Sequence, residues 1–141
     1  MFKKFFEKKN EENINNKNIL ITALLIHAAK IDDNYTDVEK DIIKKALISL
    51  NAISSNEAEE LLKKAEKIEQ ESNQIVIFTR EIKKNSMKFR LKIIEILWKI
   101  VYSDGSSDSY ESNLIRRVCG LLYITDRDSG MIKLKVKNSL K

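Results

Sequence analysis

Residues 19–50 read ILITALLIHAAKIDDNYTDVEKDIIKKALISL, and the same pattern returns 72 positions later in residues 91–122, LKIIEILWKIVYSDGSSDSYESNLIRRVCGLL. Each copy has an apolar helical stretch, then an acidic turn, then a second stretch with apolar residues at helical spacing. An internal repeat of this kind indicates two similar structural units in one chain. We therefore expect two halves that superpose over these ranges. The matched charged positions are Asp32 with Asp104, Glu39 with Glu111, Lys44 with Arg116 and Lys45 with Arg117.

The composition favours an all-α protein. The 141 residues are 43% hydrophobic and 33% charged, with no proline and three glycines. Long helices joined by short turns fit this composition better than a turn-rich sandwich or barrel does. We predict a compact helical bundle of about seven to eight helices with a pseudo-two-fold repeat, and more than half of the residues in helix. Residues 13–141 should form one domain, with halves at 13–72 and 86–141, behind a lead segment of residues 1–12.

Capping residues mark the predicted helix starts. A capping box pairs a side-chain oxygen at the helix start, usually a hydroxyl, with a carboxylate three residues later, and each satisfies a backbone amide of the other. Two buried helices are predicted over residues 13–31 and 87–103, where apolar side chains occur nearly all round. The predicted caps are Thr36 with Glu39, Ser54 with Glu57, Asp108 with Glu111, and Thr125 with its register shifted by one residue.

Two segments carry competing signals. Residues 75–79 are β-branched and aromatic, which favours a short strand, and the alternating apolar residues of 132–136 would be its one candidate partner. Because isolated strands are unstable, we predict that residues 73–85 are helical instead. The last helix is predicted to be interrupted at Gly130, since glycine is a poor helix former.

The apolar stripes of the repeated helices predict the core. These positions recur every three to four residues on one face of each helix. The residues expected to be buried are Leu24, Leu25, Ala28, Ile43, Leu47, Ile96, Leu97, Ile100, Ile115 and Cys119.

The N-terminal segment has three phenylalanines among lysines. Phe2, Phe5 and Phe6 fall at helical spacing, so residues 1–9 could touch a membrane surface, although one short aromatic turn binds weakly. No long apolar stretch and no cleavage site follow, so this is not a secretory signal, and no stretch is long enough to span a bilayer. With a single cysteine, and therefore no internal disulfide, we expect a cytoplasmic protein.

Three single residues have plain structural interpretations. Cys119 aligns with Leu47 of the first copy, and Trp98 aligns with Ile26, so both are expected in the core rather than at a reactive site. His27 aligns with Lys99, which indicates an edge position. A zinc site at this histidine is not expected, because no second histidine or nearby cysteine accompanies it.

The acidic turns carry a recognisable family pattern. An apolar helix is followed by Asp-Gly at 104–105, a cap residue at Asp108 and Glu111 seven positions after the first aspartate. Over about residues 15–130 the chain resembles the TerB-like family, all-helical domains related to tellurite-resistance protein TerB and to the N-terminal region of DjlA-type membrane co-chaperones. The resemblance implies a stress-associated interaction module with no settled enzymatic activity, whose acidic surfaces are suspected of binding divalent metal. The departures from the family pattern are Asp33, where glycine is usual, and Ser107, where an apolar residue is common.

The acidic residues of the two turns are also the candidate metal ligands. Hard cations such as Ca²⁺ and Mg²⁺ need several oxygens at one point, and a pseudo-two-fold arrangement would let the two turns pool their carboxylates. Helix capping explains the same residues without a metal, so we expect no bound cofactor, with Ca²⁺ or Mg²⁺ binding as the alternative. The candidate ligands are Asp32, Asp33, Glu39, Asp104, Asp108 and Glu111.

The remaining patterns bear on partners and catalysis. The sequence has no glycine-rich phosphate loop, nucleophile elbow or dinucleotide fingerprint, so nothing in it argues for an enzyme. The net charge of +5 is spread over several segments without an aromatic-basic recognition element, so nucleic-acid binding by a basic helical module is the third and least favoured function. The favoured function is a non-enzymatic interaction domain with a protein partner, whose identity and oligomeric state the sequence does not give.

Overall fold

A computed structural model describes residues 17–30, 35–51, 53–71, 75–103 and 109–139 of the chain. Helices contain 87% of this described part, and it has no strand. The predicted all-α class and the predicted helix content are therefore confirmed. The elements are α1 (residues 17–29), α2 (Asp37–Asn51), α3 (Ser55–Glu71), α4 (Ile75–Thr79), the 3₁₀ turn η1 (Ile82–Lys84), α5 (Met87–Tyr102), α6 (Ser109–Leu121) and α7 (Asp126–Ser139).

Hydroxyl caps fix where several helices begin. The amide of Glu57 donates to the Ser54 hydroxyl at 3.2 Å, and the amide of Asp128 donates to the Thr125 hydroxyl at 3.1 Å. These bonds satisfy backbone donors that have no partner inside the helix. Both caps lie where the sequence predicts them. A further cap starts α5, where the Ser86 hydroxyl accepts from the Phe89 amide.

The bundle is built around α5. This helix packs against α2, α6, α7 and η1, and α2 and α6 in turn contact α3 and α7 respectively. Helix α1 is the second central element, because its apolar residues are buried on every side, as predicted. Every residue of the predicted core is buried, from Leu24 to Cys119.

Corresponding helices of the two halves begin at positions separated by about the 72 residues of the sequence repeat. Helix α2 begins at Asp37 and α6 begins at Ser109, 72 positions later. Helix α3 begins at Ser55 and α7 at Asp126, one position early, which matches the register shift seen at the Thr125 cap. The superposition of the two halves as bodies stays a prediction.

The two segments with competing signals are both helical. Residues 75–79 form α4, where Ile75 and Phe78 are buried. The Thr79 hydroxyl donates a hydrogen bond to the Ile75 carbonyl at 2.9 Å. The predicted interruption at Gly130 is wrong, because α7 continues through it to Ser139. A glycine inside a helix costs only about 1 kcal/mol relative to alanine. The contact of α7 with α5 and the bond from the Trp98 indole to Ser129 outweigh that cost.

The lead segment of residues 1–12, its proposed membrane contact and the first residues of the predicted helix 13–31 lie outside the described part. Among the helices that are described, none is long and apolar enough to cross a membrane.

Candidate functional site

Glu39 is the one predicted metal ligand whose side chain the structure describes, and it completes a cap. Its carboxylate accepts from the Thr36 amide and from the Thr36 hydroxyl, both at 3.0 Å. The Glu39 amide donates back to the Thr36 hydroxyl at 3.2 Å. Glu39 is only 5% exposed, so this predicted capping box is a buried part of the fold.

The carboxylates beside this cap already have cationic or hydroxyl partners. Buried Glu69 accepts from Lys30 at 2.9 Å, and its other oxygen lies 3.3 Å from Nδ1 of His27. The Tyr35 hydroxyl donates to Glu66 at 3.1 Å. Burial, followed by the negative charge and hydrogen bond of Glu66, raises the pKa of Tyr35, so this phenol stays protonated. Glu66 and Glu69 therefore each have a partner within the fold, which gives both carboxylates a structural role.

The other predicted ligands cannot be placed around a cation. Asp32, Asp33, Asp104 and Asp108 lie outside the described residues, and Glu111 lies in α6 with its side chain outside the described part. Within the described ranges, no group of three or more histidine, cysteine, aspartate and glutamate residues could hold a metal ion. The metal site of the two acidic turns stays a prediction.

A test at Glu39 separates capping from metal binding. Glu39→Ala should lower the free energy of unfolding by about 1 kcal/mol, because it removes the carboxylate that accepts from Thr36 and leaves only half of the capping box. Glu39→Gln should cost less than about half of that, since the amide oxygen of glutamine still accepts from Thr36. Urea denaturation measures both changes.

Thermal denaturation with and without a divalent cation tests metal binding directly. We expect millimolar Ca²⁺ or Mg²⁺ to leave the melting temperature of the unsubstituted protein unchanged. A rise of several degrees with either cation, lost in Glu111→Gln, would instead establish a carboxylate site that stabilises the folded state by binding.

The cysteine and the tryptophan occupy the core as predicted, and the histidine lies at its edge. Burial raises the pKa of the Cys119 thiol, which outweighs a hydrogen bond from Ser129 that lowers it, so Cys119 is an unreactive thiol. Trp98 is 5% exposed and donates to Ser129 at 3.2 Å. The half-buried His27 ring lies 6.3 Å from the Phe78 ring, with 19% of its side chain exposed.

A groove with an apolar floor lies between α2 and α5. Its floor is apolar, with the half-buried Ile42, Ala46 and Leu50 from α2 and the buried Ile96 from α5. The α2 residues recur at intervals of four, so they form one stripe along that helix. The small side chain of Ala46, in the middle of the stripe, leaves the depression between the two helices open.

Lysines surround this floor. Lys45 from α2 and Lys92 and Lys99 from α5 line the groove, and all three are exposed. Lys45 pairs with Asp41 at 2.9 Å, but both side chains are more than half exposed, and such pairs contribute little. Lys92 and Lys99 form no ion pair with any residue in the described ranges. The rim is therefore positively charged.

The sequence does not predict this groove. The apolar stripe of α2 indicates core positions, and its partly exposed side is not distinguished from its buried side. The signal available was the half-exposed side of the stripe, where Ile42, Ala46 and Leu50 alternate with Lys45 and Ser49. A sequence pattern alone does not tell which side of such a stripe a neighbouring helix covers.

Comparison with known protein families gives one match. The family model described as tellurite resistance protein TerB matches residues 18–134, which is most of the chain and includes both repeat copies. No curated protein and no solved structure matches the chain significantly.

Proposed function

The chain belongs to the TerB family, and from this premise we propose that it is a cytoplasmic, non-enzymatic interaction domain that binds a protein partner in the α2–α5 groove. The observation that supports the proposal is the lysine-rimmed apolar floor described above. Apolar surface open to solvent and surrounded by polar residues is typical of protein-interaction sites. Grooves between helices commonly receive a segment of another protein.

The chemistry of the groove supports binding rather than catalysis. The described residues that line it have lysine, serine and aliphatic side chains, with no carboxylate, histidine or cysteine among them. General acid–base catalysis most often uses a histidine or a carboxylate, and the described part of the lining has neither.

Site-specific photo-crosslinking tests the proposal. Ser49→Cys places a unique accessible thiol in the groove, because the native Cys119 is buried. The purified protein, labelled at this thiol with a photo-crosslinker, should capture a discrete partner when it is irradiated in a cell lysate. The same crosslinker at Lys64→Cys, on the exposed face of α3, is the matched control and should not capture it.

A blocking variant completes the test. Ala46→Trp in the Ser49→Cys background fills the floor of the groove and should abolish the crosslink, while circular dichroism shows an unchanged helix content. A crosslink that persists in Ala46→Trp, or that appears equally at Lys64→Cys, would show that this groove is not the interaction site.

We also propose a role in stress tolerance, because the matching family model is described by tellurite resistance. A strain lacking the protein should tolerate less tellurite than its parent. The unsubstituted gene should restore growth, and Ala46→Trp should not. Full restoration by the blocked variant would separate stress tolerance from the groove.

A further inference from the structure

We infer that the groove accepts an amphipathic helix whose apolar stripe is flanked by acidic side chains. This inference rests on the proposed function, since it names the class of partner for the same groove. Three observations support it. They are the helix that covers the equivalent surface in the other half, the dimensions of the groove and the charge of its rim.

In the other half of the chain, a helix covers the surface that corresponds to this groove under the repeat. Under the 72-residue repeat, Lys45 and Ser49 correspond to Arg117 and Leu121 of α6. Helix α4 packs on α6 beside these two residues. The short α4 buries Phe78 completely, so an apolar helix already covers this surface in the second half.

A second contact extends the equivalence to the other wall. Lys99 on the rim of the groove corresponds to His27 of α1, and the His27 ring lies against Phe78 of α4. The segment α4 therefore reaches both helices that are equivalent to the walls of the groove. No described element covers the α2–α5 groove in this way, because its floor residues Ile42, Ala46 and Leu50 remain partly exposed.

The dimensions fit a helix of two or more turns. From Ile42 to Leu50 the floor extends about 12 Å at the helical rise of 1.5 Å per residue. A partner helix lying between α2 and α5 would place a row of side chains spaced three and four residues apart over Ala46, as ridges pack into grooves. This spacing defines the apolar stripe that the partner needs.

The rim selects the charge of the partner. Lys45 lies on one wall, and Lys92 and Lys99 lie on the other, so acidic residues on both sides of the partner's apolar stripe would each meet a lysine. Complementary charges of this kind steer association and reject partners of the wrong sign. An acidic amphipathic helix meets both requirements, apolar contact with the floor and negative charge at the rim.

Charge also argues against two other occupants. A symmetric dimer through this face would bring the three rim lysines of one copy against those of the other. The chain's own N-terminus has Phe6 at the position that the repeat matches to Phe78, but Lys3, Lys4, Lys8 and Lys9 around its phenylalanines outnumber the one acidic residue among them, Glu7. Each of these occupants would place lysines against the lysine rim.

Designed peptides test the inference with the full chain. The acidic probe is a helix of about four turns with leucine at positions i, i+3, i+4 and i+7 and glutamate on both flanks. A second peptide has lysine in place of glutamate, and a third keeps the acidic composition with its leucines scrambled. Fluorescence anisotropy should show the acidic probe binding at least about tenfold more tightly than either control, which corresponds to about 1.4 kcal/mol.

Variants of the rim and matched controls locate the binding. Lys92→Glu with Lys99→Glu should weaken the acidic probe about tenfold and strengthen the basic peptide. Lys64→Glu with Lys67→Glu changes the net charge equally on the exposed face of α3 and should leave both affinities unchanged. Raising the salt from about 0.01 M to about 0.1 M, which shortens the Debye length from about 30 Å to about 10 Å, should weaken the acidic probe.

Three outcomes would overturn the inference. Equal affinity for the acidic and scrambled peptides would mean that bare charge, not a helix in the groove, is recognised. Sedimentation that shows a dimer lost in Lys92→Glu would assign the groove to a second copy. Tighter probe binding after Phe6→Ser would assign it to the chain's own N-terminus. If the Ser49→Cys crosslink succeeds while the acidic probe fails, the interaction site stands and only the class of partner is wrong.

Discussion

Leu97→Ala should lower the free energy of unfolding by about 2–5 kcal/mol, the usual cost of removing a large side chain from a packed core. Leu97 is completely buried in α5, the helix that contacts α2, α6 and α7. A cavity at this position would weaken packing in both halves of the chain at once. Urea denaturation followed by circular dichroism measures the change.

The matched control is Leu134→Ala on α7. Leu134 is 60% exposed, so the same chemical change should alter the free energy of unfolding by no more than about 0.5 kcal/mol. If Leu97→Ala cost as little as Leu134→Ala, the buried face assigned to α5 would be wrong. Both variants replace leucine by alanine within a helix, so helix propensity contributes equally to both. The difference between their free energies of unfolding therefore measures the effect of burial.

The sequence predicted the helices well because local and tertiary signals agree in them. In α2, the Thr36 cap and the apolar stripe through Ile43 and Leu47 indicate the same start and the same buried face. Consistency of this kind makes a prediction reliable. The prediction failed at Gly130, where the local preference of glycine opposes the packing of α7 on α5, and the packing wins.

The predicted site and the groove differ in what the sequence can indicate about them. The acidic turns can be recognised in the sequence because their carboxylates lie close together along the chain. The described contacts of Glu39, however, are those of a helix cap. The groove depends on how α2 and α5 lie against each other, because Ala46 of α2 and Ile96 of α5 both line it. That relation joins residues about fifty positions apart, so periodicity within either helix does not reveal it.

Phe78→Ala should be the other strongly destabilising substitution, with an expected cost of about 3–5 kcal/mol. Phe78 is fully buried although α4 has only five residues, and an isolated helix of that length is unstable without tertiary contacts. Its ring lies against His27 of α1, while α4 also packs on α6, so the substitution should loosen the segment that joins the two halves.

The neighbouring Val76→Ala is the control for this prediction, because Val76 is 56% exposed in the same short helix. It should change the free energy of unfolding by less than about 0.5 kcal/mol. Hydrogen exchange should then show faster exchange of the α4 amides in Phe78→Ala but not in Val76→Ala. Equal and small effects of the two substitutions would mean that α4 does not cover α6. The equivalence between this surface and the α2–α5 groove, from which a helical partner is inferred, would then fail with it.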